Sequence, residues 1–292
     1  MRNRSLVLFT ILSQMTTGAF LVMVALYQWV AYQKGLEAAD RLTVRAFLVL
    51  VLVAGLGMLA SFFHLGAPGK AWRAFTNPRT SWLSREILFT TGFTAIGAVF
   101  VCFQWFQIGA PTLRSTLAWI VALFGIALVF SMSRVYMLPT ISTWNTPLTM
   151  LSFYISMFLL GGMAGTALSL GMALPGNPVL SDWAWFEALK RIAILVQILI
   201  FVQLLVAWFY PRSTHRSKRE AGDIKHFSPG RPGKHRFLLI MRIGFALAGA
   251  GLMGLLLLPL ANIRTMEILL YAAFTLVFLS ELFGRLLFYE RA

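Results

Sequence analysis

Residues 42–65, LTVRAFLVLVLVAGLGMLASFFHL, decide the fold because they form a long apolar run with one charged residue, Arg45. The run exceeds the ~20 residues that a helix needs to cross a hydrocarbon core of ~30 Å. Seven further runs of comparable length accompany it, at residues 6–32, 84–106, 113–136, 147–173, 183–210, 237–261 and 264–288. The sequence therefore predicts an all-α polytopic membrane protein, a bundle of eight transmembrane helices.

The composition agrees with this fold. Hydrophobic residues make up 59% of the 292 residues and charged residues 12%, whereas soluble domains are about 25% charged. Eight spans leave almost nothing for a soluble unit, so we predict that residues 1–292 form a single integral membrane domain. Continuous apolar runs favour helices over a β-barrel, whose strands alternate over ~10 residues. The first run is too long for a signal peptide and is expected to remain as a helix.

Histidine and cysteine are too few for a resident redox cofactor. His64 is the one histidine in an apolar run, and Cys102 is the only cysteine. Haem held between histidine pairs needs more ligands, and iron–sulfur clusters use four. We therefore predict no metal site and no bound cofactor, and we expect Cys102 to pack as a small apolar side chain.

The net charge of +15 predicts the orientation. Of the 25 lysines and arginines, 18 fall on the N-terminal side of the bundle and seven on the other side. The positive-inside rule then places both termini in the cytoplasm. Nine of the 18 lie in residues 212–242, so the prediction depends on a basic loop at 211–236. This loop suits anionic lipid headgroups. With one interior aromatic residue and no scaffold, it does not suit nucleic acid.

Polar side chains near the apolar runs gather at the N-terminal side of the predicted bundle. Ionisable groups in transmembrane segments are costly, so each indicates a structural or functional role. The opposite side has nothing comparable beyond Gln28 and the loop acids Asp182 and Glu187, so we predict one polar site, at the N-terminal side. Its candidate residues are Gln14, His64, Glu86, Arg134, Tyr136, Thr143, Trp144, Glu281 and Arg285.

Several of these candidates have a structural alternative. Glu281 and Arg285 have the i, i+4 spacing of an intrahelical ion pair, which we predict. Arg134 and Tyr136 suit interfacial anchors as well as a pocket, and Gln14 suits a helix–helix hydrogen bond as well as a ligand contact.

His64 and Glu86 form the most informative pair. Alone, each fits an interfacial histidine or a carboxylate at a helix start. They flank one loop, however, at facing ends of consecutive helices, so an imidazole and a carboxylate can meet there as an acid/base pair. The loop between them, HLGAPGKAWRAFTNPRTSWLSREI, is rich in Gly, Pro, Trp and Arg. We expect it to form a compact cap or a docking surface for a partner.

This loop and three further blocks of the sequence resemble the DmsC family, the membrane anchor subunits of dimethyl-sulfoxide-reductase-type molybdoenzymes. GLGMLASFFHLGAPGKAWRAF is similar to the family's His-Leu-Gly-x-Pro-basic-Ala stretch. LSREI is similar to its Leu-Ser-x-Glu-Ile, and LFTILSQMTTGAFLV to its first helix. RVYMLPTISTWNTPLTMLSFYISMFLLGG and SELFGRLLFYE resemble two further blocks. The chain departs from the pattern at Arg85, where the family often has Asn, and in the length of its basic loop.

The resemblance implies a function in anaerobic respiration at the bacterial cytoplasmic (inner) membrane. It implies a subunit that anchors a molybdopterin catalytic subunit and an iron–sulfur electron-transfer subunit and oxidises menaquinol as an exchangeable substrate. The family's functional histidine and glutamate fall on His64 and Glu86. We expect His64 to take a proton from the quinol and Glu86 to relay it.

A quinol pocket completes this expectation, with Gln14, Arg134, Tyr136 and Trp144 as candidates. Two rivals remain: a secondary transporter, and a quinone-binding membrane subunit without a reductase partner. The transporter is disfavoured because the ionisable groups are expected on one side and not at the midplane. A cytochrome-b-like haem subunit is disfavoured by the histidine count.

Overall fold

The computed structural model describes residues 2–62, 77–137, 144–173, 183–220, 232–258 and 263–290. Within these ranges the chain is helical and contains no strand. The helices are α1 (Arg2–Lys34), α2 (Leu36–Phe62), α3 (Trp82–Trp105), α4 (Pro111–Tyr136), α5 (Pro147–Ala173), α6 (Trp183–Glu220), α7 (Pro232–Leu255) and α8 (Ile263–Glu290). All eight contain a segment long and apolar enough to cross a membrane. The predicted polytopic helical fold is confirmed.

Helix α1 is the central element, because it packs against α2, α4, α5 and α8. It divides the apolar interior into two cores. Its C-terminal half packs with α2, α3 and α4 around Phe20, Phe47 and Phe100. Its N-terminal half shares the other core with α4 to α8.

The crossing of α1 and α5 depends on glycine. A Cβ atom at Gly18 would lie 2.0 Å from the carbonyl oxygen of Met157, and one at Gly161 would lie 2.3 Å from the Cα of Gly18. The two backbones are therefore in direct contact, as small residues permit where transmembrane helices cross. This contact holds the site-bearing half of α1 against α5.

Three sequence predictions differ from the structure. Helix α2 begins at Leu36, six residues before the expected run. Helix α6 continues to Glu220 and α7 begins at Pro232, so residues 211–220 and 232–236 of the predicted loop are helical. Lysine, arginine and glutamate are good helix formers, and extending an existing helix is easier than starting one. Cys102 is exposed on α3 and does not pack inside.

Candidate functional site

The start of α3 places Glu86 inside the bundle. The hydroxyl of Ser81 caps the helix by accepting a hydrogen bond from the backbone N–H of Ser84 at 3.3 Å. Glu86 follows in the second turn, where its side chain is buried and only 5% of its surface is exposed. Its Oε2 has no hydrogen-bond partner among the described residues. Glu86 is therefore not the first-turn carboxylate of the alternative interpretation, since the first turn of α3 contains no acidic residue.

Arg85 does not neutralise this carboxylate. Its Nε donates to the carbonyl oxygen of Pro78 at 2.7 Å, and its Nη2 donates to that of Arg79 at 2.8 Å. The guanidinium also lies 4.1 Å from the ring centre of Trp82. Arg134 approaches the same ring, at 5.1 Å, so its contact is with the α3 start. A half-buried arginine against tryptophan fits the interfacial-anchor interpretation of Arg134.

Two tyrosines stand beside Glu86. The hydroxyl of Tyr289, on α8, donates to that of Tyr136, on α4, at 2.8 Å, and both rings are buried. Thr10 on α1 is near the Tyr289 hydroxyl, and the carboxyl group of Glu86 is within electrostatic range of both hydroxyls. Burial contradicts the interfacial-anchor alternative for Tyr136. Sequence reasoning did not select Tyr289, although its position near the end of the last span was a usable signal.

Trp144 closes the same region from the start of α5. Its indole Nε1 donates to the carbonyl oxygen of Phe288 at 3.0 Å, and its ring stacks on that of Phe288 with centres 5.1 Å apart. It also meets Tyr136 edge-on, at 5.5 Å. The aromatic rings therefore join the ends of α4, α5 and α8.

Gln14 links α1 to a buried polar network. Its Oε1 accepts from Nη2 of Arg285 at 2.7 Å, and its Nε2 donates to the sulfur of Met132 at 3.8 Å. Gln14 therefore makes the helix–helix hydrogen bonds of its structural alternative, and its place in a quinol pocket stays a prediction. Arg285 also donates to Ser156 Oγ at 3.1 Å and lies 3.8 Å from the ring centre of Phe153.

The prediction that Glu281 forms an ion pair with Arg285 is wrong, because Glu281 pairs with a different arginine. Among the described ion pairs, Glu281 is matched with Arg242 of α7, at 3.8 Å. Its Oε2 accepts from Ser156 Oγ at 2.5 Å and from Gln203 Nε2 at 2.9 Å. Neighbouring helices thus supply the partners of Glu281, and Ser156 bridges it to Arg285. The i, i+4 spacing placed both residues on one face of α8 but did not show which helices face them.

The opposite end of the bundle also buries charged groups, contrary to the prediction of a single polar site. Arg114 Nε lies 2.7 Å from Asp40 Oδ2, and both side chains are buried. Tyr27 donates to Asp40 Oδ1 at 3.1 Å. Arg114 also donates to the carbonyl oxygens of Ile108 and Gly109 and to Gln107 Oε1. This cluster ties α1 and α2 to the α3–α4 turn.

Two predicted site residues, His64 and Thr143, lie outside the described residues. Helix α2 is described to Phe62, two residues before His64, and the description resumes at Asn77. The structure thus gathers Gln14, Glu86, Tyr136, Trp144 and Arg285 at the N-terminal end and places Arg134 at its edge. It adds Tyr289, Gln203 and Arg242 to this end.

Known proteins resemble this sequence over most of its length. It matches the family described as "DMSO reductase anchor subunit (DmsC)" over residues 1–290. It is 28% identical to the anaerobic dimethyl sulfoxide reductase chain YnfH of Escherichia coli K12, over 97% of this chain and 93% of the relative. It is 28% identical to another anaerobic dimethyl sulfoxide reductase chain of that organism, over 75% and 73%. It is 35% identical to a sulfite dehydrogenase subunit of Allochromatium vinosum, over 65% and 62%.

Proposed function

The chain belongs to the DMSO reductase anchor subunit (DmsC) family, and on that premise we propose that it oxidises menaquinol at the N-terminal end of its bundle. In this proposal it anchors a molybdopterin catalytic subunit and an iron–sulfur subunit, and it passes electrons to the iron–sulfur subunit. The named relatives belong to dimethyl sulfoxide reductases and to a sulfite dehydrogenase. The named relatives are therefore subunits of oxidoreductases, and this supports a role for the chain in electron transfer.

The state of Glu86 is the observation that carries the proposal. A carboxyl group buried in a transmembrane span is costly, and buried polar atoms are normally hydrogen-bonded. Glu86 Oε2 nevertheless has no hydrogen-bond partner among the described residues. It lies near the start of α3, and residues 63–76, which include His64, precede that helix in the chain. A group in this state is suited to accept a proton from a ligand that arrives from outside the protein.

The proton chemistry follows from these residues. A quinol loses two electrons and two protons when it becomes a quinone. His64 is suited to take a hydroxyl proton, because imidazole titrates near neutral pH, and Glu86 to relay it to water. Tyr136 accepts the hydrogen bond from Tyr289, which leaves its own proton to be donated to a quinol oxygen. The tyrosine pair therefore orients the ring, while His64 and Glu86 move protons.

The electrons leave this subunit in the proposal. With four histidines and one cysteine in 292 residues, it is poorly supplied with ligands for haem or iron–sulfur clusters. We propose that every redox group belongs to the partner subunits and that this protein contributes only the quinol site. The purified protein should then show no Soret band. A band that scales with protein concentration would contradict this part of the proposal.

Replacing Glu86 tests the proposal in the assembled complex. Glu86→Gln keeps the size of the side chain but removes the base, and losing a general base costs ~10²–10⁴-fold in rate. Turnover from a menaquinol analogue should fall by that factor, while turnover from a soluble artificial donor that bypasses the anchor should stay unchanged. His64→Ala should behave in the same way. Glu37→Gln, in an exposed carboxylate near the start of α2, is the matched control and should leave both activities unchanged.

Two other results would contradict the proposal. If Glu86→Gln keeps quinol turnover within about twofold, the carboxylate does not act in the proton transfer. If both activities fall together, the start of α3 serves assembly, and the loss of the complex from membranes will show it.

The orientation is part of the proposal. We propose that both termini and the basic segment face the cytoplasm of a bacterial cell, because most of the positive charge lies on that side. In a variant without Cys102, Ser217→Cys should resist a membrane-impermeant thiol reagent in intact cells. Thr112→Cys, exposed at the opposite end of the bundle, should react. The reverse pattern would place the quinol site on the other side of the membrane.

Transport, the rival function, is less well supported by the geometry. The argument from one-sided charge no longer holds, because Asp40 and Arg114 are buried at the opposite end. Transporter sites, however, use interrupted helices near the midplane. The eight described spans are continuous helices, and the layer between the two polar ends contains Phe20, Phe47 and Phe100.

A further inference from the structure

A second polar site lies between α6, α7 and α8, apart from Glu86. The guanidinium of Arg285 and the carboxylate of Glu281 are buried there, and the side chain of Arg242 beside them is 11% exposed. Arg242 Nη2 is 3.8 Å from Glu281 Oε1, which is a loose contact, and Glu281 Oε2 is already shared by two neutral donors. The three groups together carry one positive charge in excess. Such a charge inside a span calls for an anion.

Two buried atoms of this cluster are unsatisfied. Arg242 Nε, a donor, and Gln203 Oε1, an acceptor, have no hydrogen-bond partner among the described residues. The side chain of Gln203 is almost fully buried, since only 3% of its surface is exposed. Both residues line one cleft together with Ser152, Glu281 and Arg285. A ligand that offers both an acceptor and a donor would satisfy them.

The cleft has room for a headgroup at its opening. The cleft has a cavity volume of about 30 Å³, enough to hold a water-sized group, and its empty space reaches about 410 Å³ when the part open to the outside is included. Val206 and Ala207 of α6 form one wall. Trp208 and Phe209, which follow them, and Phe237 of α7 are exposed apolar residues on the flanking helices. A ligand with a small polar head and an apolar tail fits this combination.

Arg242 is held in the cleft by α8. Ser280 Oγ donates to the backbone carbonyl oxygen of Arg242 at 2.8 Å. A Cβ atom at Gly284 would lie 2.9 Å from Arg242 Cζ, so the glycine lets the guanidinium lie against the helix. Arginine side chains in transmembrane helices usually extend toward the headgroups. Here the packing keeps the charge between the helices instead.

The depth of the cleft suits a lipid phosphate. Lys234 and Glu290 form a partly exposed ion pair at the N-terminal end. Gly284 lies six residues before Glu290, which corresponds to about 9 Å along a helix. The guanidinium of Arg242 is therefore within a short distance of the headgroup level. Basic pockets between transmembrane helices are known to bind anionic headgroups.

We propose that this cleft binds the headgroup of an anionic phospholipid that carries hydroxyl groups, of which phosphatidylglycerol is the simplest. A phosphate oxygen accepts from Arg242 Nε, and a headgroup hydroxyl donates to Gln203 Oε1. The negative phosphate balances the excess positive charge, and the acyl chains lie along the apolar surface of α6 and α7. The site is separate from the quinol chemistry, so neither proposal depends on the other.

Native mass spectrometry of the full-length protein, purified in detergent and exchanged against phosphatidylglycerol or phosphatidylcholine, tests the site. The wild type should retain phosphatidylglycerol at least about fivefold better, which is the preference expected from one arginine. Arg242→Gln should abolish the preference. Arg236→Gln removes the same charge from an exposed position on the same helix and should keep it.

A second variant, which blocks the cleft in a different way, separates a loss of lipid binding from misfolding of Arg242→Gln. Ala207→Leu fills the cleft without altering a charge, so it should also abolish the preference. Equal retention of phosphatidylglycerol by the wild type, Arg242→Gln and Ala207→Leu would overturn the proposal. Protection of the wild type from thermal unfolding by inorganic phosphate, to the same extent as by phosphatidylglycerol, would also overturn it, because the cleft would then bind a free anion.

Discussion

Charged side chains are buried at both ends of the bundle, and the two ends differ in how completely those charges are paired. At one end Asp40 and Arg114 meet at 2.7 Å, and further donors and carbonyl groups surround them. At the other end, Glu86, Gln203 and Arg242 each keep a buried polar atom with no hydrogen-bond partner among the described residues. At the Asp40 end the buried charges are therefore paired, and the unpartnered atom there, Gln104 Oε1, belongs to a neutral amide. At the other end a carboxylate and a guanidinium each keep an unpartnered atom.

The difference separates a structural cluster from a binding region. A buried network whose members are satisfied makes the fold rigid and unique, because every alternative arrangement leaves a polar atom unpaired. An unsatisfied buried atom costs about 1–3 kcal/mol, so several of them at one end of the bundle need an explanation, and ligands that bind there supply one. We therefore expect substitutions to affect mainly stability at the Asp40 end and mainly function at the Glu86 end.

The largest expected effect tests the paired end. Asp40→Asn leaves the Arg114 guanidinium buried without its counter-charge, which costs about 3–5 kcal/mol when a buried pair is broken. The free energy of unfolding in mixed micelles should fall by that amount. Glu37→Gln, the same chemical change in an exposed residue of α2, should change it by less than about 0.5 kcal/mol. A loss below about 1 kcal/mol for Asp40→Asn would remove the contrast between the two ends.

An intermediate effect compares one hydroxyl at each end. Tyr27 donates to the carboxylate of Asp40 at 3.1 Å, and Tyr289 donates to the neutral hydroxyl of Tyr136 at 2.8 Å. Hydrogen bonds to charged groups contribute about 1.5–3 kcal/mol and neutral ones about 0.5–1.5 kcal/mol. Tyr27→Phe should therefore destabilise the protein more than Tyr289→Phe does. Thermal unfolding of both variants checks the order, and the reverse order would argue against charge pairing at the Asp40 end.

The smallest expected effect concerns Glu86. Because its Oε2 has no hydrogen-bond partner among the described residues, Glu86→Gln removes little that the resting protein uses. The free energy of unfolding should stay within about 1 kcal/mol of the wild type, or rise, since a neutral amide is cheaper to bury than a charge. The free energies of unfolding of Glu86→Gln and Asp40→Asn, measured under the same conditions, give the comparison. A loss as large as that of Asp40→Asn would make Glu86 a structural residue.

Much of the N-terminal end was predictable, because its polar residues interrupt apolar runs. Glu86, Tyr136 and Gln14 stand out in this way, and the structure buries all three. Asp40 was missed because it precedes the expected run at 42–65. Helix α2 begins earlier, at Leu36, and this carries Asp40 into the bundle. Hydropathy cannot separate a charge that ends a span from one that is paired inside it.

The choice of partner was also beyond the sequence. Arg114 was counted as one of the charges that set the orientation, and its contact with Asp40 spans 74 residues. Glu281 and Arg285 share a helix face, but α5, α6 and α7 supply the groups that meet Glu281. Arg242 does not stand out among the many basic residues of the sequence, because its contact with α8 is visible only in the structure.

The number of spans, the helical class and the end that carries Glu86 were determined by the sequence alone. Every backbone polar group must be satisfied within its own span in a membrane, so local composition suffices to define each helix. Only the tertiary structure decided which polar groups are paired and which are left open. Gln14 and Arg285 are 271 residues apart in the chain, and such contacts depend on how the helices pack, which no local pattern encodes.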